Sequence, residues 1–212
     1  TKSSPPIHVP AKSTFENGKV PTKPQLAASV NKKLDISSSN LWIANMLADS
    51  ALPTGAFAHS AGLEAAYQLG FADNVGTFVQ SSIRSTMQQW TPLVRCSHRN
   101  GTDPEQYHDY AHALLSTNAP ACRASLDQGR SLLRAAVELQ PGSPVFQLLQ
   151  SELKTNAIRG HFCIVWGVVT RELGIEEDVA CQLLGYCVAR DLVSAAVRLN
   201  LVGQLARQRL LL

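Results

Sequence analysis

The chain has 212 residues and a mass of 22.9 kDa, enough for one domain or for one domain with a tail. Apolar residues make up 45% of it and charged residues 17%. This excludes wholesale disorder, because disordered chains are poor in apolar residues and rich in charge. The formal net charge of +3 comes from residues 1–38, which carry +4, while the rest of the chain carries −1. A nucleic-acid binder usually has its positive charge on the folded domain, so we expect no nucleic-acid partner.

Residues 1–38 are rich in lysine, serine and proline and show no apolar periodicity. A segment of this composition buries too little surface to offset the entropy of ordering it. We therefore predict a flexible tail over residues 1–38, with a docking arm as the alternative, and a folded helical domain over residues 39–212.

The first half of the folded domain has apolar residues at a helical period. The pattern predicts helices over about 41–47, 60–69 and 74–89. Pro92 is expected to kink or restart the chain, and Asn100-Gly101 has the composition of a turn. Residues 103–106, Asp-Pro-Glu-Gln, have the signals of a helix start, with an N-cap carboxylate followed by proline.

The second half continues with four further helices. They are predicted over about 121–139, 143–156, 160–173 and 176–199. Gly174 is expected to end the third of them in a left-handed conformation. The fourth has apolar residues at nearly every i, i+3, i+4, i+7 position. No segment alternates with the period of a strand, so we predict an all-α, single-domain bundle of about nine or ten helices.

The five cysteines indicate the compartment. Their number is odd, and no two have the Cys-x-x-Cys spacing of a structural zinc site. Most have apolar neighbours, as free thiols in a protein core do. We therefore predict a reducing, cytoplasmic location. The longest strongly apolar stretch, residues 162–169, is far shorter than the roughly 20 residues that span a bilayer, so no membrane partner is expected.

Three histidines are candidate metal ligands. His108 and His112 are spaced i, i+4, which places both imidazoles on one helix face, as a divalent metal requires. No third ligand stands near them, and two exposed histidines on an amphipathic helix are the commoner arrangement. His161 begins an apolar run and is expected to bond a helix end in the core, with a metal role as the alternative. None of the three specifies a complete ligand set.

A catalytic constellation cannot be assembled from the remaining polar residues. His59 and Glu64 are a possible proton-transfer pair. The sequence has no nucleophile elbow, no Walker A loop and no dinucleotide fingerprint. We therefore predict that the protein is not an enzyme.

Charged residues interrupt the apolar stripe of the last predicted helix. Arg190 and Asp191 are adjacent, and Ser194 and Arg198 follow at four-residue spacing from Arg190. Charges beside a packed stripe are costly unless they are paired. These residues form either an internal ion pair that fixes helix packing or a polar strip that faces a partner or a cavity.

Four sequence blocks, in order, resemble one family. The first is residues 47–64, LADSALPTGAFAHSAGLE, and the fourth is residues 190–203, RDLVSAAVRLNLVG. The second is Gln128-Gly129 followed by Leu132-Leu133-Arg134, and the third is Gly160-His161-Phe162 leading into Trp166-Gly167. The blocks are similar to those of the urease accessory protein UreF family, above all its plant-type members. Together they span roughly residues 41–210.

The resemblance implies an all-α homodimer of about ten helices, without an active site or a tightly bound cofactor. It implies an adaptor that joins a second accessory protein, UreD (also called UreH), and the GTPase UreG, whose activity it modulates. The assembly delivers nickel to the urease apoenzyme, so nickel is handled by the complex.

The first and fourth blocks supply the candidate partner-binding residues. A loop rich in specific residues, without the residue set of an enzyme, is best explained as a recognition surface. The candidates are Pro53, Gly55, Phe57, His59, Ser60, Gly62, Glu64, Arg190, Asp191, Ser194 and Arg198.

The sequence also departs from the family pattern. Ala56 stands where the family usually has a glycine, a change that costs about 1 kcal/mol where the backbone has a positive φ. Family members usually continue beyond the fourth block with an extension that helps to bind UreD/UreH, and we expect that surface to be incomplete here. Two other interpretations stay open: a metal-dependent helical enzyme that uses His108 and His112, and a general helical scaffold.

Overall fold

The computed structural model describes residues 38–54, 60–71, 74–101 and 105–211, the side chains of residues 38, 39, 105 and 106 excepted. Within these ranges the chain forms nine α-helices and no strand, which confirms the all-α class. The helices are α1 (Ser38–Ala48), α2 (Leu63–Gln68), α3 (Val75–Asn100), α4 (Glu105–Leu115), α5 (Ala119–Leu139), α6 (Pro144–Lys154), α7 (Phe162–Glu172), α8 (Glu177–Arg198) and α9 (Gln204–Leu210). Of the tail predicted over residues 1–38, residues 1–37 lie outside the described residues, as do residues 103 and 104 of the predicted helix start.

Local sequence signals fix many of the helix ends. Asn74, Asn118 and Ser143 are N-caps whose side chains accept a hydrogen bond from the backbone N–H three residues further on. α7 ends as predicted, with Gly174 at a φ of 75°. Asn200 closes α8 in the same way with a φ of 56°, since asparagine tolerates the left-handed region better than most residues.

α3 differs most from its prediction. It is one continuous helix of 26 residues, whereas the sequence predicted an end near residue 89 and a kink or restart at Pro92. Proline removes a backbone hydrogen bond and costs about 3 kcal/mol in a helix interior. Pro92 is exposed, but Leu93 and Val94, which follow it, are buried in the main core. Tertiary packing of this half of α3 therefore overrides the local preference of the proline.

α7 is the most deeply buried helix of the described chain. Its residues from Phe162 to Thr170 are all buried, and it packs against α3, α4, α5 and α8. Gly167 allows α3 to come close, because a Cβ at this position would lie 2.0 Å from the Oγ of Ser97. Trp166 donates its indole N–H to the carbonyl of Ala180 at 3.0 Å, which ties α7 to α8.

α8 contacts α1, α2, α3, α7 and α9. It is long and apolar enough to cross a membrane by length and composition alone, but 56% of the relevant stretch is buried inside the protein. Its buried residues lie on more than one side of the helix and include Val179, Leu184, Arg190 and Ala196. The apolar stripe predicted for this helix is therefore wider than the sequence indicated, and it reaches a position occupied by a charged residue.

Ion pairs tie the start of α8 to α3. Glu177 accepts hydrogen bonds from Arg95 and Arg99, and the Arg99 Nη2 lies 2.7 Å from its carboxylate. The Arg99 guanidinium holds the pKa of Glu177 at about 2. Glu177 lies in the first turn of α8, where the helix dipole also favours a negative charge.

Candidate partner-binding surface and histidine cluster

The first and fourth sequence blocks meet in space on α8. The carbonyl of Ala48, the last residue of α1, accepts a hydrogen bond from the Nη1 of Arg190, 142 residues further along the chain. At the other end of the block, Leu63 begins α2, is completely buried and packs against Ala195 and Ala196. We call this contact, formed by these five residues and by Asp191, which pairs with Arg190, the α1–α8 junction. It fixes both ends of the loop that carries most of the predicted partner-binding residues.

Arg190 and Asp191 form the charged part of the α1–α8 junction. The Nε and Nη2 of Arg190 lie 2.9 Å and 2.8 Å from the Oδ1 of Asp191. Arg190 is buried and its carboxylate partner is nearly so. Burial raises the pKa of the Asp191 carboxyl, and the Arg190 charge acts in the opposite direction. Arg190 therefore links the end of α1 to α8, as an internal ion pair would, and does not face solvent.

The rest of the predicted polar strip is more open. Ser194 is half-buried and donates its hydroxyl to the carbonyl of Arg190 at 2.6 Å, a bond within the helix. Arg198, one turn further on, is exposed. The four positions thus do not share one environment, because the strip runs from the buried junction at Arg190 outward to the surface at Arg198.

The described part of the loop presents several predicted residues at the surface. Pro53 and Glu64 are exposed and Ser60 is half-buried. Gly62 is exposed with a φ of 86°, directly after Ala61, which also has a positive φ of 47°. These two left-handed residues turn the chain into α2. Gly55, Ala56, Phe57 and His59 lie outside the described residues.

A second polar group is formed where α4, α5 and α7 meet. The Nδ1 of His112 lies 3.2 Å from the Nε2 of His161 and 3.6 Å from the Sγ of Cys122. The three ligating atoms all lie within 4.8 Å of one another. His161 and Cys122 are buried, and His112 is half-buried. We call these three residues the His–Cys cluster.

Ser125, together with the second and third sequence blocks, holds His161 in place. The Oγ of Ser125 lies 3.2 Å from the Nδ1 of His161 and accepts the N–H of Phe162 at the same distance. A Cβ at Gly129 would lie 2.0 Å from the carbonyl oxygen of Gly160, so the two backbones touch. We call the contact of Ser125 and Gly129 with Gly160 and His161 the α5–α7 junction. Gly129 and Gly160, which belong to the second and third blocks, allow the two backbones to pack closely and are themselves buried.

His108 is not part of the His–Cys cluster, although it shares a helix with His112. Its Nδ1 accepts the N–H of Gly160 at 3.3 Å, and its Nε2 is buried without a hydrogen-bond partner. Burial lowers the pKa of His108 to about 4, and that of His161 likewise. The expectation that His108 and His112 form an exposed pair is wrong, since His108 is 1% exposed and His112 turns to His161.

Sequence reasoning missed two members of this region, Cys122 and Ser125. Nothing in their spacing points to His161, and the residue types in isolation are typical of a helix core. The available signal was that His112 and Cys122 flank the short turn between α4 and α5, the second of which begins at the N-cap Asn118. That signal required knowledge of which helix faces pack.

Comparisons with known proteins agree with the four blocks. The UreF family model matches residues 35–212. Urease accessory protein F of rice (Oryza sativa subsp. indica) is 32% identical over 189 residues, which cover 87% of this chain and 70% of the rice protein. Urease accessory protein F of Arabidopsis thaliana is 31% identical, covering 79% of this chain and 72% of its own. Urease accessory protein UreF of Kocuria rhizophila is 32% identical, covering 74% and 69%. The relatives are named as accessory proteins and not as enzymes, and the chain belongs to the UreF family of urease accessory proteins.

Proposed function

We propose that this chain is a helical adaptor that assembles with a UreG-type GTPase and a UreD/UreH-type accessory protein. In this assembly it modulates the GTPase and helps to deliver nickel to the urease apoenzyme. The observation that carries the proposal is the α1–α8 junction. The two longest family blocks are distant in sequence, yet Ala48 and Leu63 anchor the first of them to the fourth on one helix.

The chemistry of the junction suits a recognition surface. Its buried side is fixed by the Arg190–Asp191 pair and by Leu63, so the loop ends are held rigidly. Glu64 and Arg198, which follow the junction on α2 and α8, are charged and exposed. Protein–protein contacts commonly have polar residues at their rim.

Location and oligomeric state belong to the same proposal. All five cysteines are free, which suits a reducing compartment such as the cytoplasm. Several large apolar side chains are exposed, among them Trp42 at 78%, Phe71 at 79% and Leu205 at 85%. We propose a homodimer of about 46 kDa, twice the chain mass of 22.9 kDa, in which apolar side chains of this kind lie at the subunit contact. Light scattering measures this mass directly.

Two assays test the adaptor function. The full-length protein should restore urease activity to a strain that lacks its own UreF, whereas a general scaffold would not. It should also retain a UreG-type GTPase and a UreD/UreH-type protein in pull-downs. A metal-dependent enzyme based on His108 and His112 is disfavoured by the geometry, since His108 bonds Gly160 and His112 contacts His161.

Phe57 is the sharpest single-residue test of the loop. We expect Phe57→Ala to weaken pull-down of the GTPase complex strongly while the melting temperature changes little. The matched control is Tyr110→Ala, which removes an aromatic ring of 56% exposure from α4. If Phe57→Ala unfolds the protein, or if both variants bind the complex equally well, Phe57 is not a recognition residue.

A further inference from the structure

Three side chains from three different elements converge in the His–Cys cluster. His112 comes from α4, Cys122 from α5, and His161 is the N-cap of α7. Each offers one atom that ligates late first-row metals: two imidazole nitrogens and one sulfur. The convergence is tight, because both measured separations from the His112 Nδ1 are 3.6 Å or less.

The separations are those of ligands around a single ion. A tetrahedral ion with metal–nitrogen bonds of about 2.05 Å and a metal–sulfur bond of about 2.3 Å holds two nitrogens about 3.3 Å apart and nitrogen and sulfur about 3.5 Å apart. The observed N···N distance is 3.2 Å and the observed N···S distance is 3.6 Å. Both separations from the His112 Nδ1 therefore match those around one ion, and the third pair, the Nε2 of His161 and the Sγ of Cys122, lies within 4.8 Å.

The surroundings of His161 suit the tautomer that a metal requires. Ligation through Nε2 needs the ring proton on Nδ1, and the Ser125 Oγ, 3.2 Å away, is placed to accept it. The same oxygen accepts the N–H of Phe162, so the hydroxyl is itself held in position. Metal-binding histidines commonly have such a partner on their second nitrogen, which orients the ring.

We propose that the Nδ1 of His112, the Sγ of Cys122 and the Nε2 of His161 bind one divalent ion of the nickel or zinc class. Binding converts the Cys122 thiol to a thiolate, which releases one proton to solvent. His112 carries its remaining ring proton on Nε2. No oxidation or reduction takes place.

Three protein ligands leave one coordination position open. His112 is half-buried while the other two ligands are buried, so the ion reaches the site from the side of His112. An open position lets water, or a ligand from another protein, complete the shell. The site thus resembles an exchangeable metal site and not a closed structural site. The inference rests on these three side chains and not on the proposed adaptor function.

Metal titration of the full chain tests the site. Purified protein, kept reduced with a phosphine, is titrated with Co²⁺, Ni²⁺ and Zn²⁺ in separate experiments. We expect one ion per chain for at least one of Ni²⁺ and Zn²⁺, and a near-ultraviolet sulfur-to-cobalt charge-transfer band with Co²⁺. Calorimetry in two buffers of different protonation enthalpy should show the release of about one proton, as expected for thiol ligation.

Variants connect the signal to the cluster. Cys122→Ser, which keeps the size of the side chain, should abolish the charge-transfer band and weaken binding at least tenfold, and His112→Gln should also weaken it at least tenfold. Cys96→Ser and His98→Gln are the matched thiol and imidazole controls and should bind as the parent does. His161→Gln is a weaker test of ligation, because this completely buried side chain also contacts Ser125, so its loss changes stability as well as binding.

The outcomes separate clearly. Binding that survives in Cys122→Ser, that lacks the sulfur band, or that is lost in Cys96→Ser overturns the proposal. So does the absence of tight binding by either Ni²⁺ or Zn²⁺. The tighter of the two ions, Ni²⁺ or Zn²⁺, in the separate titrations is the one that the site prefers. Since pull-down with the GTPase requires no added metal, failure of the metal site and failure of the adaptor function give different results.

Discussion

The two junctions of this protein each join two of the sequence blocks that the chain shares with the UreF family, but they do so by opposite means. The α1–α8 junction buries a charged pair, Arg190 and Asp191, and leads outward to exposed polar residues. The α5–α7 junction brings two backbones into contact at Gly129 and Gly160 and surrounds a neutral histidine. The difference teaches that sequence blocks of one family have distinct physical roles. The long blocks anchor the two ends of a loop to α8, whereas the short ones remove side-chain volume.

The contrast extends to charge. At the α1–α8 junction the protein keeps a guanidinium away from water and compensates it with a carboxylate and with the carbonyl of Ala48 at the C-terminus of α1, where a positive charge is favoured. At the α5–α7 junction it avoids charge altogether, since burial lowers the pKa of His108 and His161 to about 4. Substitutions at the two junctions should therefore change the unfolding free energy, and its dependence on pH, in different ways.

The largest effect is expected from Asp191→Ala. Removing the carboxylate leaves the buried Arg190 guanidinium without its charge partner, which costs roughly 3–5 kcal/mol of unfolding free energy. Urea denaturation at neutral pH measures it. The control is Arg190→Met combined with Asp191→Leu, which removes both charges and should recover part of the loss. If Asp191→Ala costs under about 1 kcal/mol, the pair behaves as a surface ion pair and the α1–α8 junction is not held by it.

The next largest effect is expected from Gly129→Ala. In an open helix this change stabilises by up to about 1 kcal/mol. Here the new Cβ would lie 2.0 Å from the Gly160 carbonyl oxygen, a backbone atom that cannot move aside cheaply. The cost of overpacking therefore exceeds the gain in helix propensity, and we expect the unfolding free energy to fall by about 3 kcal/mol. Gly142→Ala is the control, because a Cβ there meets nothing within 4 Å. Equal stability of the two variants would mean that the α5–α7 contact is looser than the structure has it.

Acid should weaken the α5–α7 junction in a defined pH window. The folded-state pKa of His161 is about 4, below the ordinary 6.5. The unfolded chain therefore binds more protons between these values, and the unfolding free energy falls as the pH drops from 6.5 to 4. For His161 we expect a loss of about 2–3 kcal/mol across that window.

His108 has the same folded pKa of about 4 and adds a loss of the same sign, which the parent and a His161 variant share. Two other groups titrate differently and provide the check. Glu177, with a folded pKa of about 2, loses its contribution only below pH 4.5. The raised pKa of the Asp191 carboxyl acts in the opposite sense, since its folded form gains a proton more readily. The unfolding free energy, measured at several pH values from 7 to 4.5, should therefore fall more steeply with decreasing pH for the parent than for His161→Gln. An equal pH dependence of the two proteins would show that His161 titrates normally.

Most of the fold could be predicted from the sequence, because local signals decide helix ends. The left-handed residue at Gly174 and the cap at Ser143 both stand where they were predicted. The prediction was wrong at Pro92, where propensity pointed to a break. The decisive term there was the burial of Leu93 and Val94 in the core, a tertiary contact that no local pattern contains.

The candidate site was less accessible to sequence reasoning. The helical spacing of His108 and His112 correctly put them on one helix, but the helix faces that pack against it decide their partners. His161 and Cys122 reach His112 from elements predicted separately. Arg190 shows the same limit: its place in a polar pattern was visible, but the carbonyl of Ala48 that it binds was not.

The smallest stability effect, and the sharpest test of the comparison, is expected from Arg198→Ala. Arg198 lies two turns beyond Arg190 on α8 and is exposed, so its removal should change the unfolding free energy by less than about 1 kcal/mol. If the outer end of the strip meets a partner, the same change should nevertheless reduce urease activation in the complementation assay and weaken pull-down of the GTPase complex. Arg198→Lys keeps the charge but loses the planar fork, and an intermediate result would indicate bidentate recognition of a carboxylate. Full activation by Arg198→Ala would restrict the functional residues of this region to the first sequence block, which carries Pro53 and Glu64.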